Sequence, residues 1–324
     1  MCAICGLLDF AGQLTAVQRL AVFRQLANAA QIRGRDASGV AFVQNGAIQI
    51  KKAPKPANRM RWRIAASARY LMGHTRMTTQ GPASKNYNNH PFPGKAGAQS
   101  FALAHNGVLC NEFELRQTRH LSFSKIKTDS YVAVQLLEQY GKLSPDTLCQ
   151  MAEALDGSFT ITVLSGDNTL YLVKGNNPLS IRLFPELGCY IYASTDEILN
   201  ETLQKLGLDG CVQIDVPIEM GDIMAIDAEG RREVSRFDIA NLIPQRYFGS
   251  WNTWNPLPVH QDKWGEDDYL RCVLAYGERH GVSERDLHLL LDAGYDACDL
   301  EELIRDNQMR ERCIQEIMAD FGVC

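Results

Sequence analysis

Short runs rich in Val, Ile, Tyr and Phe, separated by Asn and Gly clusters, constrain the fold of this chain most. Residues 39–43, 101–104, 159–164, 170–173, 190–193 and 223–226 read as strands. Gln44-Asn45-Gly46 and Gly166-Asp167-Asn168 fall between consecutive runs. Asn and Gly tolerate the positive φ that tight hairpins need, so neighbouring strands are expected to pair antiparallel, without helical crossovers. Apolar residues recur every three to four positions over residues 15–30, 129–140, 144–155 and 195–206, with Ser or Thr near each start, which predicts four helices. One-sided helices combined with sheets imply a layered α+β fold.

The pattern changes near the C-terminal end. Pro244, Pro256 and Pro258 accompany Trp251, Trp254 and Trp264, which reads as a connector packed on a surface. Beyond it, residues 269–281, 283–293, 299–306 and 308–319 are purely helical in pattern, with Ser283 and Asp286 at the spacing of a capping box variant. The expected division is a main domain over residues 2–240, a Pro/Trp-rich connector over 241–264 and a small all-helical module over 265–324.

Composition excludes several functions. No stretch approaches the roughly 18 uninterrupted apolar residues of a membrane span, and no basic leader precedes Asp9, so a cytoplasmic protein without a membrane partner is expected. Ten cysteines are thinly spread, and Cys2 and Cys5 find no second C-x-x-C to complete a zinc site, which suggests free thiols and no metal. A net charge of −5 offers no general field for phosphate backbones, so nucleic acid is not an expected partner. Neither a P-loop nor a dinucleotide-binding glycine fingerprint is present, and no cofactor is expected.

Cys2 directly follows Met1, and a small second residue permits removal of the initiator methionine. The exposed α-amine, with a pKa of about 7.7 to 8.0, can accept the thiol proton and later return it to a leaving group. One residue then supplies nucleophile and base. By itself a cysteine at the second position is usually a small apolar residue on the first strand. A cysteine–histidine pair involving His74, His90 or His105 is a further arrangement, although nothing singles out one pair.

Five segments in order decide between these readings: Met1-Cys2-Ala3-Ile4-Cys5-Gly6, Arg33-Gly34-Arg35-Asp36-Ala37-Ser38-Gly39, Gly73-His74-Thr75-Arg76-Met77-Thr78-Thr79-Gln80-Gly81, His105-Asn106-Gly107 and Thr128-Asp129-Ser130. Together they resemble the class II glutamine amidotransferases, the N-terminal nucleophile group that includes glucosamine-6-phosphate synthase and glutamine phosphoribosylpyrophosphate amidotransferase. The resemblance covers residues 2 to about 230 and implies a four-layer αββα sandwich of two mainly antiparallel sheets. It casts Cys2 as nucleophile, Asn106 and the Gly107 N–H as oxyanion hole, Arg76 as carboxylate clamp, Asp129 as ammonium partner and Thr79 as a further glutamine contact. Taken singly, Arg76 and Asp129 read as surface ion-pairing residues, Asn106-Gly107 as a hairpin turn and Thr79 as a turn residue. Met77 and Gln80 stand where the synthase has an aromatic residue and a histidine, so a differently lined pocket is expected.

The resemblance implies hydrolysis of the L-glutamine side-chain amide through a Cys2 thioester. Only about 85 residues follow the amidotransferase part, so the ammonia acceptor is expected to be another polypeptide, docked on the helical module. The alternatives are a stand-alone hydrolase of another γ-glutamyl amide and a catalytically silent binding protein on this fold.

Overall fold

The computed structural model describes residues 2–242, 266–279, 281–293, 295, 300, 303–304 and 307–320. The chain forms two compact units, Met1–Asn252 and Thr253–Cys324. Apart from its first two residues, the expected Pro/Trp connector lies outside the described residues.

The first unit contains two antiparallel sheets. One is built from β1 (Ala3–Asp9), β2 (Ala37–Gln44), β3 (Ala47–Ala53), β4 (Tyr70–Arg76), β9 (Ser180–Phe184), β10 (Cys189–Ala193) and β11 (Ile214–Asp215), in the order β11-β9-β10-β1-β4-β2-β3. The other comprises β5 (Phe92–Ala96), β6 (Gln99–Leu109), β7 (Gly157–Ser165), β8 (Leu170–Lys174), β12 (Asp222–Ile226) and β13 (Arg232–Arg236), in the order β13-β12-β8-β7-β6-β5. Asn45 and Gly46, with φ of 52° and 72°, turn β2 into β3 as their dipeptide predicts.

Strand β1 shows why the layers stack. Its side chains alternate between faces, and both faces are buried, so the strand is apolar almost throughout. Ala3, Cys5 and Leu7 join the core beneath α1 (Ala16–Ala30) and α5 (Asp196–Leu206), together with Phe23, Leu26, Leu199 and Leu203. Ile4 and Leu8 point the other way, into a core between the sheets with Met72, Ala104, Leu164 and Leu172. The far face of the second sheet packs Leu103, Ile161 and Val173 against Val132 and Leu136 of α3 (Tyr131–Tyr140) and Leu148 of α4 (Pro145–Ala154). The result is the four-layer αββα sandwich.

Caps set the helix ends. Thr15 and Gln18 form a capping box on α1, and Ser144 and Thr147 form one on α4, which starts with Pro145. An additional helix, α2 (Glu112–Thr118), follows β6; its seven residues are too short to carry a clear helical period. The second unit contains helices Glu266–Arg279, Glu284–Asp292 and Asn307–Asp320, with the Ser283 hydroxyl accepting from Asp286 N at 3.1 Å. Of the helix expected over residues 299–306, only residues 300, 303 and 304 are described, all helical. Cys2, Cys5, Cys149, Cys189, Cys211 and Cys313 are free, whereas Cys110 is disulfide-bonded, a departure from the expected free thiols. Among the described residues no helix is long and apolar enough to cross a membrane.

Candidate active site

Antiparallel register brings the N-terminal residue pair of the motifs together. Ala3 pairs with Thr75, and one further step along the same register sets Cys2 opposite Arg76. The half-buried Cys2 is tied down on both sides: its Sγ lies 3.4 Å from Met77 O, and its carbonyl accepts from Arg33 Nε at 3.0 Å. Burial pushes the thiol up, opposed by a Met77 backbone hydrogen bond and then by the positive charge of Arg76. Asp129 acts on the same thiol in the opposite sense, so the three groups share one electrostatic neighbourhood.

The Arg33-Gly34-Arg35-Asp36 turn supports this arrangement. A Cβ on Gly34 would lie 2.4 Å from Arg76 C and 2.5 Å from Met77 N, so only glycine lets the two backbones approach this closely. Asp36 then spans the loop beyond β4. Its N–H donates to Arg76 O at 2.9 Å, and its carboxylate accepts from Thr78 N at 2.7 Å.

Arg76 is 2% exposed, and its guanidinium donates to Asn89 Oδ1 at 2.6 Å, to Gly81 O at 2.7 Å and to Gln80 O. All three acceptors are neutral. Among the described residues no carboxylate forms an ion pair with it, although burying an unpaired cation is costly. Burial lowers its pKa, while Cys2, Asp129 and Asp36 act to raise it. Thr79 lies in the same loop, partly buried. Gln80, in the same loop, is buried; its Oε1 accepts from Asp129 N at 2.6 Å and its Nε2 donates to Glu112 Oε1 at 3.3 Å.

Asn106 and Gly107 do not form a hairpin turn. Both lie within β6, opposite Thr160 and Phe159 of β7. Gly107 has a φ of 147°, and a Cβ there would stand 1.8 Å from Ser158 O, so the position demands glycine. Asn106 is 1% exposed; its Nδ2 donates to Ser194 Oγ at 3.3 Å, and its carbonyl accepts from Asn177 Nδ2 at 2.8 Å. Ser194 Oγ also accepts from Ile4 N at 2.9 Å, which links the Cys2 strand to the second sheet. Asp129 is 5% exposed, at the start of α3, and its Oδ2 accepts from Leu109 N at 2.8 Å. Ser194 and Asn177 carry no motif, and only their contacts mark them.

The three histidines are buried spacers. His74 Nε2 contacts His105 O at 3.0 Å, His105 Nδ1 contacts Ser130 Oγ at 2.7 Å, and the His74 and His90 rings lie 4.2 Å apart. Burial lowers all three pKa values, that of His74 to about 3, so none is charged at neutral pH. Burial likewise pushes the Cys5 thiol up to about 12, which fits an inert core cysteine better than a redox partner for Cys2. Among the described residues no cluster of His, Cys, Asp or Glu has the geometry to hold a metal ion.

No protein-family model matches the chain. Curated relatives include the glutamine–fructose-6-phosphate aminotransferase (isomerizing) of Bacillus licheniformis, 30% identical over 188 residues, covering 56% of this chain and 30% of the relative. The Sulfolobus acidocaldarius protein of the same name is 29% identical over 232 residues, covering 67% of this chain and 38% of its own length. The chain thus spans about a third of the length of these relatives. Among solved structures, glutamine phosphoribosylpyrophosphate amidotransferase from B. subtilis superposes with a TM-score of 0.57 at 19% identity, over 74% of this chain and 50% of the other. The allosteric regulatory enzyme of purine biosynthesis gives 0.56 at 21% identity over the same shares. These two structures share the fold. The sequence similarity falls within the first unit and is to glutamine–fructose-6-phosphate aminotransferases, and the fold of that unit is the one seen in these two solved structures.

Proposed function

We propose that the protein hydrolyses the side-chain amide of L-glutamine through a thioester on Cys2 and supplies the ammonia to an acceptor enzyme in trans. The observation that carries this reading is Arg76: a buried guanidinium satisfied only by neutral oxygens, one register step from the thiol, is suited to an incoming carboxylate. Asp129 supplies the opposite charge for the substrate ammonium, and Thr79 a hydroxyl beside the clamp.

Removal of Met1 leaves the α-amine of Cys2 free to take the thiol proton. The thiolate attacks the amide carbon, and the oxyanion is held by Asn106 Nδ2 and Gly107 N–H. One Nδ2 hydrogen remains for it beside the bond to Ser194. Collapse breaks the C–N bond, the α-ammonium returns its proton to the leaving nitrogen, and ammonia departs. Water then adds to the thioester, the amine again taking a proton, and glutamate leaves as the thiol is restored. Residues 2–240 would be the amidotransferase domain, residues 241–264 a connector and residues 265–324 a helical module that docks the acceptor enzyme, in a cytoplasmic protein.

The test is glutamate release from glutamine by the purified chain and by its Cys2→Ala variant, with the N-terminal residue checked by intact mass. Release that disappears in the variant supports the proposal. Turnover of another γ-glutamyl amide, with none of glutamine, would favour the stand-alone hydrolase. No turnover of either by the trimmed chain, with or without candidate acceptor enzymes, would favour the binding protein.

A further inference from the structure

Between Asp36 and Glu112 the sequence contains no acidic residue, in a chain whose net charge is −5. Five cations from this stretch, Lys51, Lys52, Lys55, Arg59 and Arg61, line one groove of about 1000 Å³. It lies where β3 ends one sheet and β5 ends the other, on the same side of the sandwich. Lys51, Lys55, Arg59 and Arg61 are exposed, and none makes an ion pair with any described residue. Four like charges around a concavity repel one another and focus a positive field into it. Ile50 and Phe101 add apolar lining and Ser100 a hydroxyl, a mixture that suits a small molecule with an anionic end. Arg59 and Arg61 carry the planar forks that match phosphate oxygens in pairs.

We propose that this groove is a binding site for a phosphate-bearing small molecule. Its inner wall leads towards Arg76. Lys52 Nζ donates to Pro91 O at 3.0 Å and to Asn89 O, and Lys52 O accepts from Asn86 Nδ2 at 2.9 Å. Asn89 Nδ2 reaches Asn86 Oδ1 at 3.2 Å, and Asn89 Oδ1 holds the Arg76 guanidinium at 2.6 Å. Burial, and then the charge of Arg76, brings Lys52 down to about 8, so an anion nearby would hold Lys52 in its charged form. Occupancy of the groove is therefore expected to alter glutamine affinity. That coupling rests on the proposed role of Arg76, whereas binding in the groove does not.

The probe is inorganic tripolyphosphate, titrated calorimetrically into the full chain at constant ionic strength. The expected result is saturable one-site binding, weakened about tenfold or more in the Lys55→Glu/Arg61→Glu variant, whose fold is checked by circular dichroism. No saturable binding, equal affinity in the variant, or tighter binding of a polyglutamate peptide would overturn the site; the last outcome would point to an acidic protein face. Glutamine binding to the Cys2→Ala chain supplies the second readout. A several-fold shift at saturating tripolyphosphate, absent in Lys52→Met, supports the coupling, and no shift overturns it. Failure of glutamine to bind at all would count against the role of Arg76 and leave the tripolyphosphate result standing.

Discussion

The two ends of β1 hold buried arginines in opposite ways. At the far end Arg19, 8% exposed, donates to the Asp9 carboxylate at 2.9 Å and also to the carbonyls of Leu14 and Ala66. At the near end Arg76, still more buried, has only neutral oxygens. The first is a completed ion pair that fastens β1 to α1. The second has its geometry fixed by neutral acceptors, with no carboxylate in an ion pair with it among the described residues. Burial is comparable at the two arginines, and the identity of the acceptors distinguishes them: a carboxylate for Arg19, and for Arg76 only neutral oxygens, which is the basis of its proposed role as the substrate clamp.

The largest effect is expected from Arg19→Met, which leaves the fully buried Asp9 without its partner. Urea unfolding should show a loss of about 3–5 kcal/mol, whereas Arg76→Met, which strands no charge, should lose less than half as much. Equal losses would break the comparison. In glutamine hydrolysis the order reverses: Arg76→Met should reduce kcat/KM by about 10²-fold, mainly through KM, while Arg19→Met, assayed where it remains folded, should leave KM unchanged.

Acid should separate the two ends further. His74, His90 and His105 are neutral in the fold with pKa values below 6.5, His74 at about 3, so below pH 6.5 the unfolded chain binds protons that the folded chain does not. Stability should therefore be present above pH 6.5 and fall as pH drops, with His74 alone contributing up to about 1.4 kcal/mol per pH unit and His90 and His105 adding in the same direction. A stability that stayed flat between pH 6.5 and 5.5 would contradict neutral burial. The smallest effect is expected from Ser194→Ala, which removes the acceptor that orients Asn106. It should slow kcat about fivefold, near 1 kcal/mol, with KM unchanged.

Much of this was legible in the sequence, for identifiable reasons. Strand and helix patterns survive because both faces of β1 and one face of each main helix are buried. The motifs marked Cys2, Arg76, Asn106, Gly107 and Asp129, and the structure gathers Cys2, Arg76 and Asp129 into one electrostatic neighbourhood. A local signal misleads at Asn106-Gly107: Asn45-Gly46 is a true hairpin turn, whereas Gly107 is required by the approach of Ser158 O from β7. That approach is a tertiary fact, absent from the dipeptide. The links from Gln80 to Asp129 and from Asn106 to Ser194 join residues 49 and 88 positions apart, beyond the reach of any pattern. The basic groove was legible in principle, because its cations and the gap in acidic residues lie in one stretch; the net charge of the whole chain conceals it.

The most direct test is to trap the intermediate. The trimmed protein is mixed with glutamine, quenched in acid within the first turnovers and mapped by peptide mass. One glutamyl group is expected on the Cys2 peptide, lost on treatment with hydroxylamine and absent from the Cys2→Ala chain. Glutamate release that persists in Cys2→Ala, with no adduct on Cys2 in the parent chain, would contradict it.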